Sequence, residues 1–280
     1  MIGQADGDMQ RDYWYSASRD PAALESPVAV GRRAARRAVE RLGARQVPTT
    51  RAPVLFAPEL ARGFIGHAIG ALSGGALYRR ASFLLDAVGE TLFPAFVRIE
   101  ERPHIPAAMA SAAYDADGVA TRDRDLVVDG VLQGYVLSAY SARRLGLETT
   151  ANAGGVHNLN VPGNAGGLEE LVAGLDRGLL VTELIGQGVN GVTGDYSRGA
   201  VGFWIENGEL AYPVDEVTIA GNLRGSLIAA RRLIGQRPGP ARHHSLRIPA
   251  RRRHEYCRFL AGCRTTAFFI SLPLSFRTHN

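Results

Sequence analysis

The sequence predicts an α+β fold, a mainly antiparallel β-sheet domain with a few packed helices. Helical patterns come early and hairpin patterns later, without the regular strand–helix alternation that a parallel sheet requires. Four apolar runs of strand length crowd Leu179–Ile185, Ala200–Ile205, Glu209–Val214 and Glu216–Ala220. Asn207-Gly208 and Asp129-Gly130 each interrupt such runs. They are hairpin signals because a two-residue type I′ turn needs positive φ at both central residues.

The elements follow in order. Met9 to Ser18 alternates polar and aromatic residues as a strand does, yet nothing nearby precedes it as a partner, so residues 1–24 read as the remnant of a missing N-terminal domain with its leading strand. Ser26-Pro27 supplies an N-cap and a first-turn proline for a helix to about Leu42, with Gly43 as its stop. Val28, Ala35, Val39 and Leu42 mark its apolar side, and Arg32, Arg33, Arg36, Arg37 and Arg41 read as a solvated face. Val54–Phe56 is a short buried strand, and Pro58 opens a helix that ends at Gly74-Gly75. Gly63, Gly66, Gly70 and Ser73 share one flank of it, a flank that would let another backbone pack closely. Phe96–Glu100 alternates as a strand, Asp129-Gly130 turns a hairpin, Ser141–Leu145 is a helical turn, and Leu168–Leu175 is a short helix. Past Asn222 the chain shows neither period.

Composition bounds the chemistry. A 280-residue chain with 46% hydrophobic residues can bury a substantial core. It contains no lysine, which excludes Schiff-base, pyridoxal-anchoring and Walker A chemistry. The net charge of +5 is unevenly spread, because residues 223–280 carry +11 and the rest carries −6. The acidic body lacks the electrostatic footprint of a nucleic-acid binder. Two cysteines are too few for a disulfide framework. The first residues lack the basic start and apolar run of a secretory signal, and no apolar stretch approaches the roughly 20 residues of a membrane helix. A cytoplasmic location is the expectation, with no membrane partner.

Gly186-Gln-Gly188-Val-Asn-Gly191 matches a dinucleotide-binding glycine pattern, but no helix follows to hold a pyrophosphate. Ser197 lies between Gly194 and Gly199, one residue too long for a nucleophile elbow. Asp195 and Arg198 are expected to brace that turn as a local ion pair. His67, His104 and His157 stand apart from one another and from carboxylates at metal-ligand spacing. His243, His244, His254, Cys257 and Cys263 are denser but fit no standard zinc spacing.

Four segments together carry a resemblance: MQRDYWYSASRD (9–20), GHAIGALSGGALYRRASFLLDAVG (66–89), SAYSARRLGLETTANAGGVHN (138–158) and ELIGQGVNGVTGDYSRGAVGFWIENGELAYPVDEVTIAGNL (183–223). The chain resembles the PmbA/TldE branch of the TldD/PmbA family, in its C-terminal region. The resemblance implies a PmbA/TldE-like domain over residues 25–222. It leaves 223–280 as an atypical Arg-rich tail, read as a shifted frame, a truncated gene or a disordered end. In this family a TldD-type subunit carries zinc and, with TldE, degrades flexible peptides. The TldD motif is His-Glu, three residues, then His. Aligned through Ile69-Gly70, its two histidines fall on Gly66 and Ala71, and its glutamate falls on His67. The resemblance therefore implies a non-catalytic subunit with no metal of its own, zinc residing in a TldD-type partner. His157, Asn158, Asp195, Tyr196, Ser197 and Arg198 are expected to form its peptide or partner surface. Two other readings are a metallopeptidase using His67, His157 and a tail cysteine, and a protein-level modulator of DNA gyrase.

Overall fold

A computed structural model describes residues 1–164 and 167–227, and the backbone of 228, 230–234 and 267–278. Strands β1 (Ile2–Ala5) and β2 (Asp8–Arg11) form an antiparallel hairpin. Its turn is Asp6-Gly7, both at positive φ, so the expected strand beginning at Met9 does have a partner. The Asp-Gly signal was present in the sequence and is the reason.

Helix α1 (Pro27–Glu40) starts where expected, with Ser26 Oγ accepting from the Ala29 N–H at 3.2 Å and Pro27 in the first turn. Such a cap contributes about 1 kcal/mol. Its buried face differs from the expected one. Val28 and Val39 are exposed, whereas Ala34, Ala38 and Arg41 are buried. Arg33, Arg37 and Arg41, spaced four apart, form an ionic stripe. Arg33 pairs with Glu25 at 3.1 Å, and Arg37 pairs with Asp12 at 3.1 Å and Glu59 at 2.5 Å. Arg41 pairs with Asp12 at 3.4 Å and Glu183 at 2.5 Å. The Trp14 ring lies under the Arg33 and Arg37 guanidiniums. The helix thus docks through charge and cation–π contact, which a reading by apolar period cannot detect.

Next come β3 (Arg51–Phe56), α2 (Pro58–Ala71) and the short α3 (Gly74–Tyr78). The four-stranded sheet contains β4 (Ile99–Glu101), β5 (Arg124–Val128) and β6 (Val131–Leu132), and then, after α4 (Ala139–Leu145), β7 (Leu159–Asn160). Asp129 and Gly130 make its expected turn at positive φ. Helix α5 (Leu168–Ala173) leads to β8 (Arg177–Ile185), β9 (Asp195–Glu206) and β10 (Glu209–Asn222). Asn207-Gly208 turns β9 into β10 as expected. The last two apolar runs are one strand, interrupted by a bulge between Val214 and Val217 with Glu216 at positive φ. Beyond Asn222 the chain continues as α6 (Leu223–Ile228), β11 (Ala230–Ile234) and β12 (Ala267–Thr278).

The larger sheet runs β10-β9-β8-β3-β12-β11, and β12 also pairs with β10. Five strands therefore close on themselves, and only β3–β8 is parallel. Closure removes an open edge. Alternation along the central strands explains why they read as continuous apolar runs. Val54, Phe56, Leu179 and Val181 enter the main core, while Leu55 and Leu180 enter a second core under Leu168, Leu171 and Val172 of α5. With both faces covered, Val54–Phe56 and Leu179–Val181 are buried at every position.

Candidate functional site and family membership

A cavity of about 160 Å³ lies between α2 and the β8–β9 pair. Helical spacing puts Leu60, Phe64 and His67 on the same side of α2. Alternation along β9 turns Tyr196 and Arg198 to the opposite wall and leaves Ser197 exposed. The floor is aromatic: Phe56 packs on Phe64 with ring centroids 5.6 Å apart, and Phe64 packs on Tyr196 at 6.0 Å. His67 meets the Tyr196 ring edge-on at 6.1 Å. Leu184 of β8 completes an apolar side, and Arg62 and Glu59 of α2 stand at the rim.

The charges around the cavity are unbalanced. Glu59 is engaged by Arg37. Arg62 hydrogen-bonds the Tyr15 hydroxyl, a neutral partner, and neither Arg62 nor Arg198 has a carboxylate partner among the described residues. Burial lowers the His67 pKa, and the Arg198 charge lowers it further, both favouring the neutral imidazole. Burial pushes the Tyr196 phenol up to about 12, against the nearby Arg198 charge. That phenol remains a donor at any physiological pH. Tyr196 is 3% exposed, and neither its Oη nor Arg198 Nε has a hydrogen-bond partner of good geometry among the described residues. An orphaned buried donor costs about 1–3 kcal/mol.

These side chains do not fit a zinc ion. Gly66 and Ala71 carry no donor, His67 is a single imidazole, and the adjacent Arg198 guanidinium repels a cation. Among the described residues, no group of three or more His, Cys, Asp and Glu is placed to hold a metal. The flank of Gly63, Gly66 and Gly70, expected to receive a second backbone, faces open space.

The other expected site residues are distributed. Asp195 does not pair with Arg198; it accepts from Thr193 Oγ1 at 2.6 Å and Asn222 Nδ2 at 3.1 Å. Those hydrogen bonds hold its carboxyl below the ordinary range. Residues 195 and 198 lie on opposite faces of an extended strand, so a local turn pair is geometrically unavailable. The loop before β9 folds back on it: the Ser197 N–H donates to Gly188 O at 2.6 Å, and a Cβ at Gly188 would lie 1.7 Å from Ser197 O. Glycine at 188 therefore serves a close approach of backbone to backbone.

His157 and Asn158 sit at β7 and hold loops in place. The buried Glu101 carboxylate accepts from the His157 N–H at 2.7 Å, Asn152 Nδ2 at 2.8 Å and Arg124 Nε at 2.5 Å. Asn158 Nδ2 donates to Arg102 O at 2.9 Å. Among the described residues, His67 and His157 join no group of three or more His, Cys, Asp and Glu placed to hold a metal. His243, His244, His254, Cys257 and Cys263 lie outside the described residues. Arg62 and Glu59 lay in no recognised motif, and it is the cavity beside α2 that groups them with His67.

Two family models match consecutive parts of the chain. The PmbA/TldA metallopeptidase central domain matches residues 1–42, and the C-terminal domain of the same name matches residues 49–243. Metalloprotease PmbA of Escherichia coli O157:H7 is 49% identical over 224 residues, covering 80% of this chain and 50% of that protein. The Haemophilus influenzae PmbA homolog is 47% identical over 228 residues, covering 81% and 51%. The chain thus spans about half the length of the curated relatives it matches. A proposed modulator of DNA gyrase from Bacteroides thetaiotaomicron superposes with a TM-score of 0.82 at 27% identity, covering 99% of this chain and 58% of that one. TldE from Thermococcus kodakarensis has the same fold, with a TM-score of 0.77 at 22% identity, covering 98% and 61%. No helix among the described residues is long and apolar enough to cross a membrane. With two domain models matching in tandem and near-half identity to PmbA proteins, the chain belongs to the TldD/PmbA family of metallopeptidases.

Proposed function

We propose that this chain is a PmbA/TldE-like, non-catalytic subunit that assembles in the cytoplasm with a TldD-type protease, which supplies the zinc and degrades unstructured peptides. The observation carrying the proposal is the composition of α2 and the cavity beside it. Positions Gly66 and Ala71 bring no ligand, and a guanidinium faces the one imidazole. Activation of a zinc-bound water needs several neutral or anionic donors and a base to take the proton. This site offers a neutral histidine and two arginines instead. The peptide or partner surface would centre on Asp195, Tyr196, Ser197 and Arg198, close to that cavity.

The test is metal analysis and peptide cleavage on the purified chain, alone and co-expressed with a TldD-type subunit. Alone it should hold well below one zinc per chain and cleave nothing. Together the two should co-purify and cleave an unstructured peptide in a chelator-sensitive way. Stoichiometric zinc and chelator-sensitive cleavage by the chain alone would establish the metallopeptidase reading instead.

A further inference from the structure

We propose that the cavity between α2 and β9 binds the C-terminal carboxylate of a peptide whose last side chain is apolar. The inference rests on the non-catalytic reading, since it gives an anion a cavity that His67 of α2 lines. Three observations lead to it. First, Arg198 and Arg62 bring two positive charges to one cavity, with no carboxylate opposite either among the described residues. Second, the buried Tyr196 hydroxyl lies beside the Arg198 guanidinium, and neither that hydroxyl nor Arg198 Nε has an acceptor at hydrogen-bonding geometry among the described residues. A planar carboxylate supplies two acceptor oxygens at once and matches a guanidinium fork. Third, the rest of the lining is Phe56, Leu60, Phe64 and Leu184. A small inorganic anion would leave that apolar wall facing water, whereas a terminal Leu or Val would cover it.

The cavity, at about 160 Å³, accommodates a terminal carboxylate with one side chain and no long segment of chain. Glu59 at the rim is engaged by Arg37 at 2.5 Å, a guanidinium that it shares with Asp12. Each charge-assisted hydrogen bond to a buried carboxylate is strong enough to change affinity by about tenfold or more.

The experiment is calorimetric titration of the purified full chain with an acetylated pentapeptide ending in leucine. Comparison ligands are the same peptide as its C-terminal amide, an amidated peptide with an internal glutamate, and inorganic phosphate. The free acid should bind at least tenfold more tightly than the amide and the internal-glutamate peptide, and phosphate should not compete at equal concentration. Tyr196→Phe and Arg198→Gln should each weaken the acid about tenfold without altering amide binding, and Arg62→Gln, an exposed change that leaves the core intact, should weaken it less. Equal binding of acid and amide, competition by phosphate, or absence of binding would each overturn the proposal. Zinc content measured on the same sample separates failure of this inference from failure of the non-catalytic reading.

Discussion

Arg41→Met tests the view that α1 is held by charge. The Arg41 side chain is 5% exposed and donates to Glu183 at 2.5 Å, to Asp12 at 3.4 Å and to Arg11 O at 2.8 Å. Methionine keeps the length of the stem and removes the charge. Breaking a buried pair by deleting one partner costs about 3–5 kcal/mol, because the other charge stays desolvated. Here Asp12 keeps Arg37 at 3.1 Å, and Glu183 keeps only Arg11 at 3.5 Å, whose side chain is 72% exposed. The expected loss is therefore at the lower end, about 3 kcal/mol. Urea unfolding at pH 7 should show a reduced midpoint with an unchanged slope. Adding Glu183→Gln to Arg41→Met should recover at least about 1 kcal/mol, since it removes the stranded carboxylate. A loss under about 1 kcal/mol, the level of an exposed pair, or simple additivity of the two changes, would refute a buried clamp. The clamp crosses the boundary between the two matched domain models, joining residues 12 and 41 to residues 59 and 183. Its loss should thus loosen the N-terminal segment first, seen as faster amide exchange in β1, β2 and α1.

Three further outcomes follow from local geometry. Gly202→Ala places a Cβ 1.8 Å from Leu180 O within the β8–β9 ladder and should cost more than about 3 kcal/mol, read by thermal melting; a loss within 0.5 kcal/mol would contradict the register. Gly63→Ala and Gly70→Ala face open space within α2 and should each stabilise the isolated chain by about 0.5–1 kcal/mol through helix propensity; destabilisation would mean that another surface packs on that flank. Burial raises the Glu40 pKa to about 7, against the charges of Arg36 and Arg37 and with that of Asp12. A raised carboxyl pKa means that the folded state holds the proton more tightly, so stability rises as pH falls from about 7 towards 4.5. Glu40→Gln should raise stability at pH 8 by about 1–3 kcal/mol and flatten that part of the pH profile; identical profiles for variant and parent would exclude Glu40 as the source.

Much of the fold was legible because it depends on local chemistry. Ser26-Pro27 starts α1, Asn207-Gly208 turns β9 into β10, and Asp129-Gly130 turns β5 into β6, each through a backbone requirement written in two residues. Asp6-Gly7 was equally legible by that rule, and its strand was instead sought after Met9. The face of α1 was not legible, since its contacts are carboxylates at 12, 25, 59 and 183, and no periodicity encodes partners so far apart. The site divides in the same way. Glycine at 66 and alanine at 71 have no ligand atoms, which is legible on inspection.

By itself, then, the sequence determined the family, the α+β class and the chemistry that α2 lacks, all of which reside in residue identity and spacing. Only the tertiary structure decided that Tyr196 and Arg198 face His67 and Arg62 across one cavity. It also decided that His157 and Asn158 serve the Glu101 and Arg102 hydrogen bonds of a different sheet. The physical reason is that a side chain's environment is set by strand pairing and helix docking between segments far apart in the sequence, 56 residues for His157 and Glu101. Charge balance and orphaned donors exist only once those distant segments meet.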